Sequence, residues 1–305
     1  MLSLLIPTYD YNVYPLVLEL NGQCQTCGIE YEIIVLDDAG SLFCKENQAI
    51  NNLKNCTFSS NDTNIGRSKM RNLLAQKARY DWLLFLDADT IPLQTNFIST
   101  YIDYTKKGNQ IIYGGITYSV NQPPRNNALR WFYGREREAI EEQQRSLNPY
   151  ISFLTLNFMI PKVFFKVIQF NEDIPNLRHE DTLFSFELSK KKIPILHITN
   201  PIIHLGLDSN DVFLDKTKQS VVALKNLVDE DLIDANYVRL AKVAKKMNAL
   251  KLDWLATIFY NTFKDKIEKK LCSENPSMFL FDVYRLSYYC TLSQSKKKQD
   301  ESLNH

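Results

Sequence analysis

The sequence lacks a charge bias, a long apolar run and a dense set of cysteines. It has 305 residues, with 36 basic against 35 acidic side chains, so no overall positive field favours nucleic acid as a partner. No stretch approaches the ~18 consecutive apolar residues of a membrane span. The apolar run that follows Met1 is too short for a signal-peptide core. These absences predict a cytoplasmic protein that does not bind nucleic acid.

The few cysteines argue against a disulfide scaffold. Six in a chain of this length indicate free thiols in a reducing compartment. Cys24 and Cys27 form a CxxC pair, but zinc would require a second close pair, which Cys44 and Cys56 do not make. A redox pair usually opens a helix after a strand, whereas this pair precedes a strand. We therefore interpret the pair as structural.

Apolar periodicity in the first half predicts alternating strands and helices. "LSLLIPTY" reads as a strand stopped by Pro7, "VYPLVLELNGQC" as a helix and "YEIIVLDDAG" as a strand. A helix entered through Asn64 and Gly66 follows, and then the strands "DWLLFLDADT" and "NQIIYGGITYS". This order predicts an α/β fold whose mostly parallel, Rossmann-like sheet is flanked by helices.

The second part of the sequence has a helical pattern. From about residue 215 onward apolar residues recur at helical spacing, which predicts a domain over 1–214 and a helical C-terminal region over 215–305. The polar tail "SQSKKKQDESLNH" is expected to fray.

Acidic residues follow three successive strands. Asp10 comes after the first strand, Asp38 after the second, and Asp87 and Asp89 after the third. Ligands of open parallel sheets bind beyond the carboxyl ends of the strands. Carboxylates gathered there repel one another unless a cation or hydrogen-bond donors are present. Mg²⁺ and Mn²⁺ often bind one or two carboxylates plus substrate phosphates, and the Asp87-Ala88-Asp89 triplet supplies such a partial cage.

Six segments together resemble a known family. In chain order, "PTYD", "EIIVLDDAG", "NIGRSKMRN", "LLFLDADT", "RHEDTLF" and "IIHLG" resemble the motifs of family 2 glycosyltransferases, inverting enzymes of the GT-A fold, over roughly residues 1 to 207. The resemblance implies transfer of a sugar from a nucleotide-sugar, usually UDP-linked, to a hydroxyl group. It also implies a glycan or lipid-linked saccharide acceptor, as in surface polysaccharide synthesis.

The resemblance also implies a role for each donor-site residue. Asp87 and Asp89 would be the DxD motif that holds Mn²⁺ or Mg²⁺ against the donor diphosphate, with His204 as a third ligand. A lone histidine after a strand is otherwise more often structural. Asp38 would bond the nucleotide base. Other residues would complete the donor pocket: Pro7, Thr8, Asp10, Gly66, Arg71 and Ala88. The family commonly has "DDGS" where this chain has "DDAG", a departure that keeps the loop small.

The acceptor side rests on a second acid pair. The resemblance makes Asp181 the general base and Glu180 the residue that orients the acceptor. The plain alternative is the preference of acids for helix N-termini. Asn157, in "LTLNFMIPKVFF", is a candidate for a sugar contact.

Two other functions share features with this sequence. A haloacid-dehalogenase-type phosphatase needs Thr or Val four positions after its first Asp, and Ile91 stands there. A non-catalytic nucleotide-sugar or carbohydrate-binding module on the same fold stays open, because only an assay separates it from an enzyme.

The segment "KLDWLATIFYNTFKDKIEKKL" also allows two interpretations. Leu252, Leu255, Ile258, Phe259 and Phe263 fall near one helical face, and four lysines follow. This pattern is typical of a helix lying on an anionic membrane, which would make the protein peripheral at the inner face of the cytoplasmic membrane. A helix packed on the core of its own domain shows the same pattern.

Overall fold

The computed structural model describes residues 1–174 and 178–303, with the side chains from residue 295 onward excepted. Within this part of the chain the strands and helices are, in order, β1 (Leu2–Thr8), α1 (Tyr14–Cys27), β2 (Tyr31–Asp37), α2 (Cys44–Gln48), β3 (Cys56–Ser60), α3 (Arg67–Lys77), β4 (Trp82–Leu86), β5 (Thr90–Pro92), α4 (Phe97–Thr105), β6 (Ile111–Tyr113), β7 (Ile116–Thr117), α5 (Ala128–Tyr133), α6 (Glu142–Ser146), β8 (Asn157–Pro161), α7 (Lys162–Val167), α8 (Glu180–Lys190), β9 (Ile195–His197), β10 (Ile202–His204), α9 (Asn210–Asp229), α10 (Arg239–Ala249), α11 (Asp253–Leu271) and α12 (Met278–Leu303). A π-helical turn, Gly134–Glu138, follows α5.

The chain forms two compact units. Unit 1 comprises Met1–Ser119, Glu138–Asn176 and Glu180–Gly206, and unit 2 comprises Val120–Arg137, Leu177–His179 and Leu207–His305. The boundary expected from the sequence, between residues 214 and 215, lies within α9. The domain bounds 1–214 and 215–305 stay a prediction.

Unit 1 contains the main sheet. Its order across the described residues is β3-β2-β1-β4-β8-β6-β9, and every pairing is parallel except the two that β8 makes with β4 and β6. A smaller sheet has the order β5-β10-β7. The predicted fold class, a mostly parallel α/β sheet flanked by helices, is confirmed.

Burial on both faces explains the unbroken apolar runs of the strands. Leu4 and Leu84 pack on one face with Leu16 of α1 and Phe97 of α4. On the other face Phe85 stacks on Phe158 at 4.9 Å between ring centroids, in a cluster that also contains residues of α3, α7 and α8. A strand covered by helices on both sides has no position that favours a polar side chain.

Pro7 does not end the first strand. The Leu2 amide donates to Glu30, so the odd-numbered amide positions of β1 face β4. Because β1 pairs with β4 only as far as Leu5, the missing amide hydrogen of Pro7 falls where no ladder bond is made. Two further differences concern strands: β3 was not predicted, and the predicted strand "NQIIYGGITYS" is interrupted at Gly114 and Gly115.

Unit 2 is helical, as predicted for the C-terminal region. Residues of α5, α9, α11 and α12 form one apolar cluster, and Phe213 stacks on Phe281 at 5.8 Å. The Asn210 side chain accepts from the Leu129 amide and donates to the Arg125 carbonyl, which fastens residues 125–129 to α9. The tail that was expected to fray is helical to Leu303; residues 304 and 305 lie outside the described part. Among the described residues, no helix is long and apolar enough to cross a membrane.

Candidate active site

The DxD motif forms a tight turn at the carboxyl end of β4. The Asp87 amide donates to the Leu156 carbonyl, and the Thr90 hydroxyl donates to the Asp87 carbonyl at 2.7 Å. The Asp89 carbonyl accepts from the Leu205 amide at 2.8 Å. Because β10 runs antiparallel to β5, with His204 opposite Thr90, these bonds bring the end of β10 beside the motif.

Asp89 and His204 face each other there. The His204 Nε2 atom lies 3.4 Å from Asp89 Oδ2, and the ring of Tyr118 lies beside the imidazole at 5.5 Å. The His204 Nδ1 atom is buried and has no hydrogen-bond partner among the described residues. Gly206 closes the turn, where an added Cβ would stand 2.0 Å from Asp89 Oδ2. The position therefore accepts only glycine while Asp89 keeps this orientation.

Arg71 connects the DxD turn to the second acid pair. Its guanidinium donates to Asp87 Oδ1 at 2.9 Å and to Glu180 Oε1 at 3.3 Å, and its side chain is 4% exposed. The charge also lies 5.2 Å from the centroid of the Phe170 ring. The Nε atom of Arg71 is buried and has no hydrogen-bond partner in the part of the chain that the structure describes. The sequence predicts Arg71 to line the donor pocket. In the structure its guanidinium bonds the carboxylates of both Asp87 and Glu180.

Glu180 and Asp181 begin α8 in different environments. Burial raises the pKa of Glu180, but Arg71 and Arg67 outweigh burial and hold it below its ordinary value. Within residues 1–174 and 178–294, no arginine lies in hydrogen-bond range of Asp181; its Oδ1 accepts from the amide and hydroxyl of Thr182. Burial and the neighbouring Glu180 charge raise the pKa of Asp181 to about 6. The pKa values of the two acids therefore differ in opposite directions from their ordinary values. Such a difference is expected when one acid of a pair exchanges protons near neutral pH.

The predicted metal ligands fit a partial site. The 3.4 Å between His204 Nε2 and Asp89 Oδ2 is close to the roughly 3 Å between adjacent ligands of an octahedral ion bound at about 2.1 Å. Asp87 is instead held by Arg71. No group of three or more His, Cys, Asp or Glu side chains is placed to hold a metal among the described residues. The chain thus brings together Asp89 and His204, and a Mn²⁺ or Mg²⁺ ion would take its other ligands from elsewhere, as Mg²⁺ does from substrate phosphates.

The other residues predicted for the donor pocket lie near the carboxyl ends of β1, β2 and β4 and at the start of α3. The Asp38 carboxylate accepts from the amides of Ile65 and Gly66, at 2.7 and 2.9 Å, and so fixes the entry to α3. Asp10 accepts from the amides of Leu42 and Ser41, and these bonds hold the pKa of Asp10 below its ordinary value although burial acts to raise it. Pro7 lies within β1, Thr8 is the last residue of that strand, and Ala88 is buried between the two aspartates.

Asn157, the candidate for a sugar contact, lies inside unit 1. Its side chain is fully buried, and the sugar contact stays a prediction. Its amide donates to the carbonyls of Gly115 and Asn200 and accepts from the Tyr101 hydroxyl at 2.8 Å. A sugar could reach this amide only if these bonds were broken. The structure assigns Asn157 to joining β8 with the loop after β6 and the turn before β10.

Sequence reasoning missed four neighbours of the site. Arg67 lies 3.6 Å from Glu180, and Phe170 supports Arg71. Burial is the larger cause of the raised pKa of Tyr11, and the charge of Asp89 raises it further. Tyr11 and Asp89 are therefore close. Arg67 and Gly206 lay inside the motifs already recognised, so their spacing was a usable signal; Phe170 and Tyr11 carried none.

A comparison with protein families assigns the chain. The family described as Glycosyl transferase family 2 matches residues 3–165. The chain belongs to glycosyl transferase family 2, which confirms the predicted family and the enzyme class, glycosyltransferase. An uncharacterized glycosyltransferase of Haemophilus influenzae is 34% identical over 92 residues, which are 29% of each of the two chains. The match thus spans less than a third of that relative.

Solved structures show the same fold at low sequence identity. Residues 1–349 of Staphylococcus aureus TarS, in complex with UDP-GlcNAc, superpose with a TM-score of 0.52 and 16% identity, covering 97% of this chain and 92% of that one. A longer TarS structure gives 0.50 and 15%, covering 94% of this chain and 54% of that one. At such identity the likeness bears on the fold alone.

Proposed function

We propose that the protein transfers a sugar from a nucleotide-sugar to an acceptor hydroxyl with inversion, in a metal-dependent reaction. The observation that carries this proposal is the Arg71 bridge, because one buried side chain bonds both Asp87 of the predicted donor motif and Glu180 of the predicted acceptor pair. A single arginine therefore contacts both the predicted donor motif and the predicted acceptor pair. Family membership supports the same reaction class.

For the donor we propose a UDP-sugar of the hexosyl or N-acetylhexosaminyl type. A TarS structure holds UDP-GlcNAc, which supports this choice by analogy of fold. Asp38 would bond the base, and its carboxylate is already held in place by two backbone amides. Each carboxylate oxygen has two acceptor sites, so these bonds leave capacity for the imide N–H of uracil.

In the transfer step Asp181 accepts the proton of the acceptor hydroxyl as its oxygen attacks the anomeric carbon. A pKa of about 6 leaves this carboxylate mostly ionised at neutral pH and still matched to proton transfer. Glu180, fixed by Arg71, orients the acceptor. Asp89 and His204 would hold Mn²⁺ or Mg²⁺, whose charge, when bound, stabilises the departing diphosphate. Attack from the side opposite the leaving group inverts the anomeric centre.

The acceptor and the location follow from the same proposal. We infer a glycan or lipid-linked saccharide as acceptor, in surface polysaccharide synthesis, and a cytoplasmic site of action, where nucleotide-sugars would be the donors. The supporting facts are the family and the six cysteines, none of which forms a disulfide among the described residues.

Thermal unfolding with a panel of nucleotide-sugars tests the donor and the metal together. A ligand that binds only the folded state at about 100 times its Kd stabilises that state by about 2.7 kcal/mol. We expect stabilisation by a UDP-sugar with Mn²⁺ or Mg²⁺, loss of the effect in chelator, and loss in Asp89→Ala. Asp103→Ala, which removes an exposed carboxylate paired only with Lys106, is the matched control. Normal donor binding by Asp89→Ala in chelator would contradict the metal assignment.

Turnover separates the enzyme from a binding module on the same fold. Asp181→Asn keeps the shape of the side chain but cannot accept the proton, so donor binding should persist while turnover falls roughly 10²-fold or more. Donor binding without any transfer by the unmodified protein, across a panel of saccharide acceptors, would instead favour the non-catalytic module.

A further inference from the structure

Helix α11 of unit 2 has two apolar faces, of which only one is buried. Tyr260, Ile267 and Leu271 lie in the apolar cluster of unit 2. The opposite side of the helix, together with the turn before it, exposes large apolar side chains to solvent; Ile258 is 54% and Trp254 50% exposed. We call the following six residues the α11 apolar face: Leu250, Leu252, Trp254, Leu255, Ile258 and Phe263. The core-packing interpretation of this helix therefore accounts for only one of its sides.

The segment that carries the α11 apolar face is rich in exposed basic residues. Nine Lys and Arg residues lie between Arg239 and Lys270, and all nine are exposed. The same segment has three acids, of which Asp253 is buried, and Glu268 accepts from the Tyr284 hydroxyl and pairs with Lys218 at 3.2 Å. Asp265 is the exposed acid of the segment. The exposed charge of this segment is thus almost entirely positive.

We propose that the α11 apolar face, together with the exposed basic residues of the same segment, binds the surface of an anionic lipid bilayer. At about 100° per residue, Lys266 and Lys269 lie on the same side of α11 as Trp254 and Ile258. Such an arrangement inserts apolar side chains at the level of the lipid headgroups while the lysine amines meet lipid phosphates. Tryptophan favours this depth, and a long lysine stem reaches the polar layer from a helix lying in it.

The charge decides against a second copy of the chain as the occupant. In a two-fold dimer the same face would meet itself, so Lys266 and Lys269 of one copy would oppose the same lysines of the other across a closed apolar contact. An anionic bilayer instead neutralises them. The proposal does not depend on the proposed transfer reaction, since binding to lipid requires neither donor nor metal.

Co-sedimentation of the full chain with vesicles tests the proposal. We expect binding to vesicles of phosphatidylcholine and phosphatidylglycerol at low salt, weakened by high salt, and much weaker binding to pure phosphatidylcholine. Leu255→Gln/Ile258→Gln should reduce the affinity at least roughly tenfold. Lys266→Gln/Lys269→Gln should reduce it as well and flatten the salt dependence. Leu147→Gln/Ile151→Gln, which changes two exposed apolar residues of unit 1, is the matched control and should bind normally.

Tryptophan emission gives a second readout. The chain has three tryptophans, and Trp254 is the exposed one, so binding should shift the emission to shorter wavelength, and Trp254→Phe should abolish the shift. Absence of binding to anionic vesicles at low salt, or binding unchanged by both α11 double variants, would overturn the proposal. A dimer in sedimentation equilibrium that Leu255→Gln/Ile258→Gln dissociates would also overturn it, by assigning the face to a second copy. Each result leaves the donor-binding tests unaffected.

Discussion

At the scale of single residues, Arg71 determines how three carboxylates coexist. Asp87 and Glu180 each bond its guanidinium, and Asp181 lies close enough for its pKa to be lowered by the same charge, though burial and Glu180 outweigh that effect. A buried ion pair stabilises little in total, but removal of one partner leaves an uncompensated charge. Arg71 therefore affects both the stability of the fold and the pKa values of Glu180 and Asp181.

Replacement of Arg71 by methionine should be strongly destabilising. We expect the free energy of unfolding, measured by urea titration, to fall by about 3–5 kcal/mol, because Asp87 and Glu180 lose their shared counter-charge. Arg71→Met/Glu180→Gln should recover part of this loss, since one of the orphaned charges is removed as well. Strictly additive effects in this double-mutant cycle would show that Arg71 and Glu180 are not coupled.

The pKa of Asp181 predicts the pH dependence of both activity and stability. As a base, Asp181 works ionised, so kcat/KM should rise with pH through about 6 and then level off, and Asp181→Asn should lose this limb. A raised carboxyl pKa means that the folded state holds its proton more tightly than the unfolded chain does. The stability from this group is therefore fully present below the unfolded pKa of about 3.9 and is lost as pH rises through about 6.

The stability effect can be measured directly. Asp181→Asn should gain on the order of 1 kcal/mol relative to the unmodified protein at pH 8, and less at pH 4, by thermal unfolding at the two values. An activity limb at about pH 6 that persists in Asp181→Asn would assign the titration to another group.

At the scale of elements, the meeting of β5 and β10 builds the candidate metal position. Neither strand is long, and each supplies three residues. Their antiparallel pairing, with the bond from the Leu205 amide to the Asp89 carbonyl, sets His204 opposite the DxD turn. Two residues more than a hundred positions apart thus become neighbours through a short sheet.

Gly206→Ala should displace Asp89 from His204. The added methyl group would lie 2.0 Å from Asp89 Oδ2, so the carboxylate must move. We expect metal-dependent stabilisation by the donor to weaken at least roughly tenfold, with a loss of about 1–2 kcal/mol in stability without ligand. Gly22→Ala is the control, because nothing lies near its added Cβ and alanine favours the helix. Unchanged metal dependence in Gly206→Ala would remove Asp89 as a ligand.

At the scale of the whole molecule, unit 2 is assembled from distant parts of the sequence. Residues 120–137 belong to it together with the C-terminal helices. Leu129 lies in the cluster formed by Phe213, Phe281 and Tyr284, and Arg125 donates to the carbonyl of Cys272 at 3.1 Å. The segment around α5 therefore depends on residues that the predicted first domain, 1–214, does not contain.

A chain ending at residue 214 should not behave as an independent domain. Without α11 and α12, the apolar side chains of α5 lose most of their cluster, so we expect aggregation in size-exclusion chromatography or binding of a hydrophobic dye. A chain ending at Gln294 keeps the residues of both unit 2 clusters and should elute and melt as the full chain does. A monodisperse, cooperatively unfolding 1–214 chain would support the domain bounds inferred from the sequence.

The sequence by itself determined the fold class and the enzyme family. Continuous apolar runs require burial on both faces and hence a covered parallel sheet, and the ordered motifs identified the family and the acids at the strand ends. These properties are local, because each depends on a few consecutive residues and on the period of the apolar pattern. The helical C-terminal region could be predicted for the same reason, because helical periodicity is also a local property of the sequence.

Only the tertiary structure decided which side chains meet. Asn157 and Arg71 looked alike in sequence, as polar residues inside motifs, yet one is enclosed by backbone carbonyls and the other joins two carboxylates. The sequence also did not show that unit 2 combines separate segments of the chain, or that one apolar side of α11 is exposed. A helical period shows that a face is apolar, but whether that face is covered depends on contacts between residues far apart in the chain, which a local pattern does not contain.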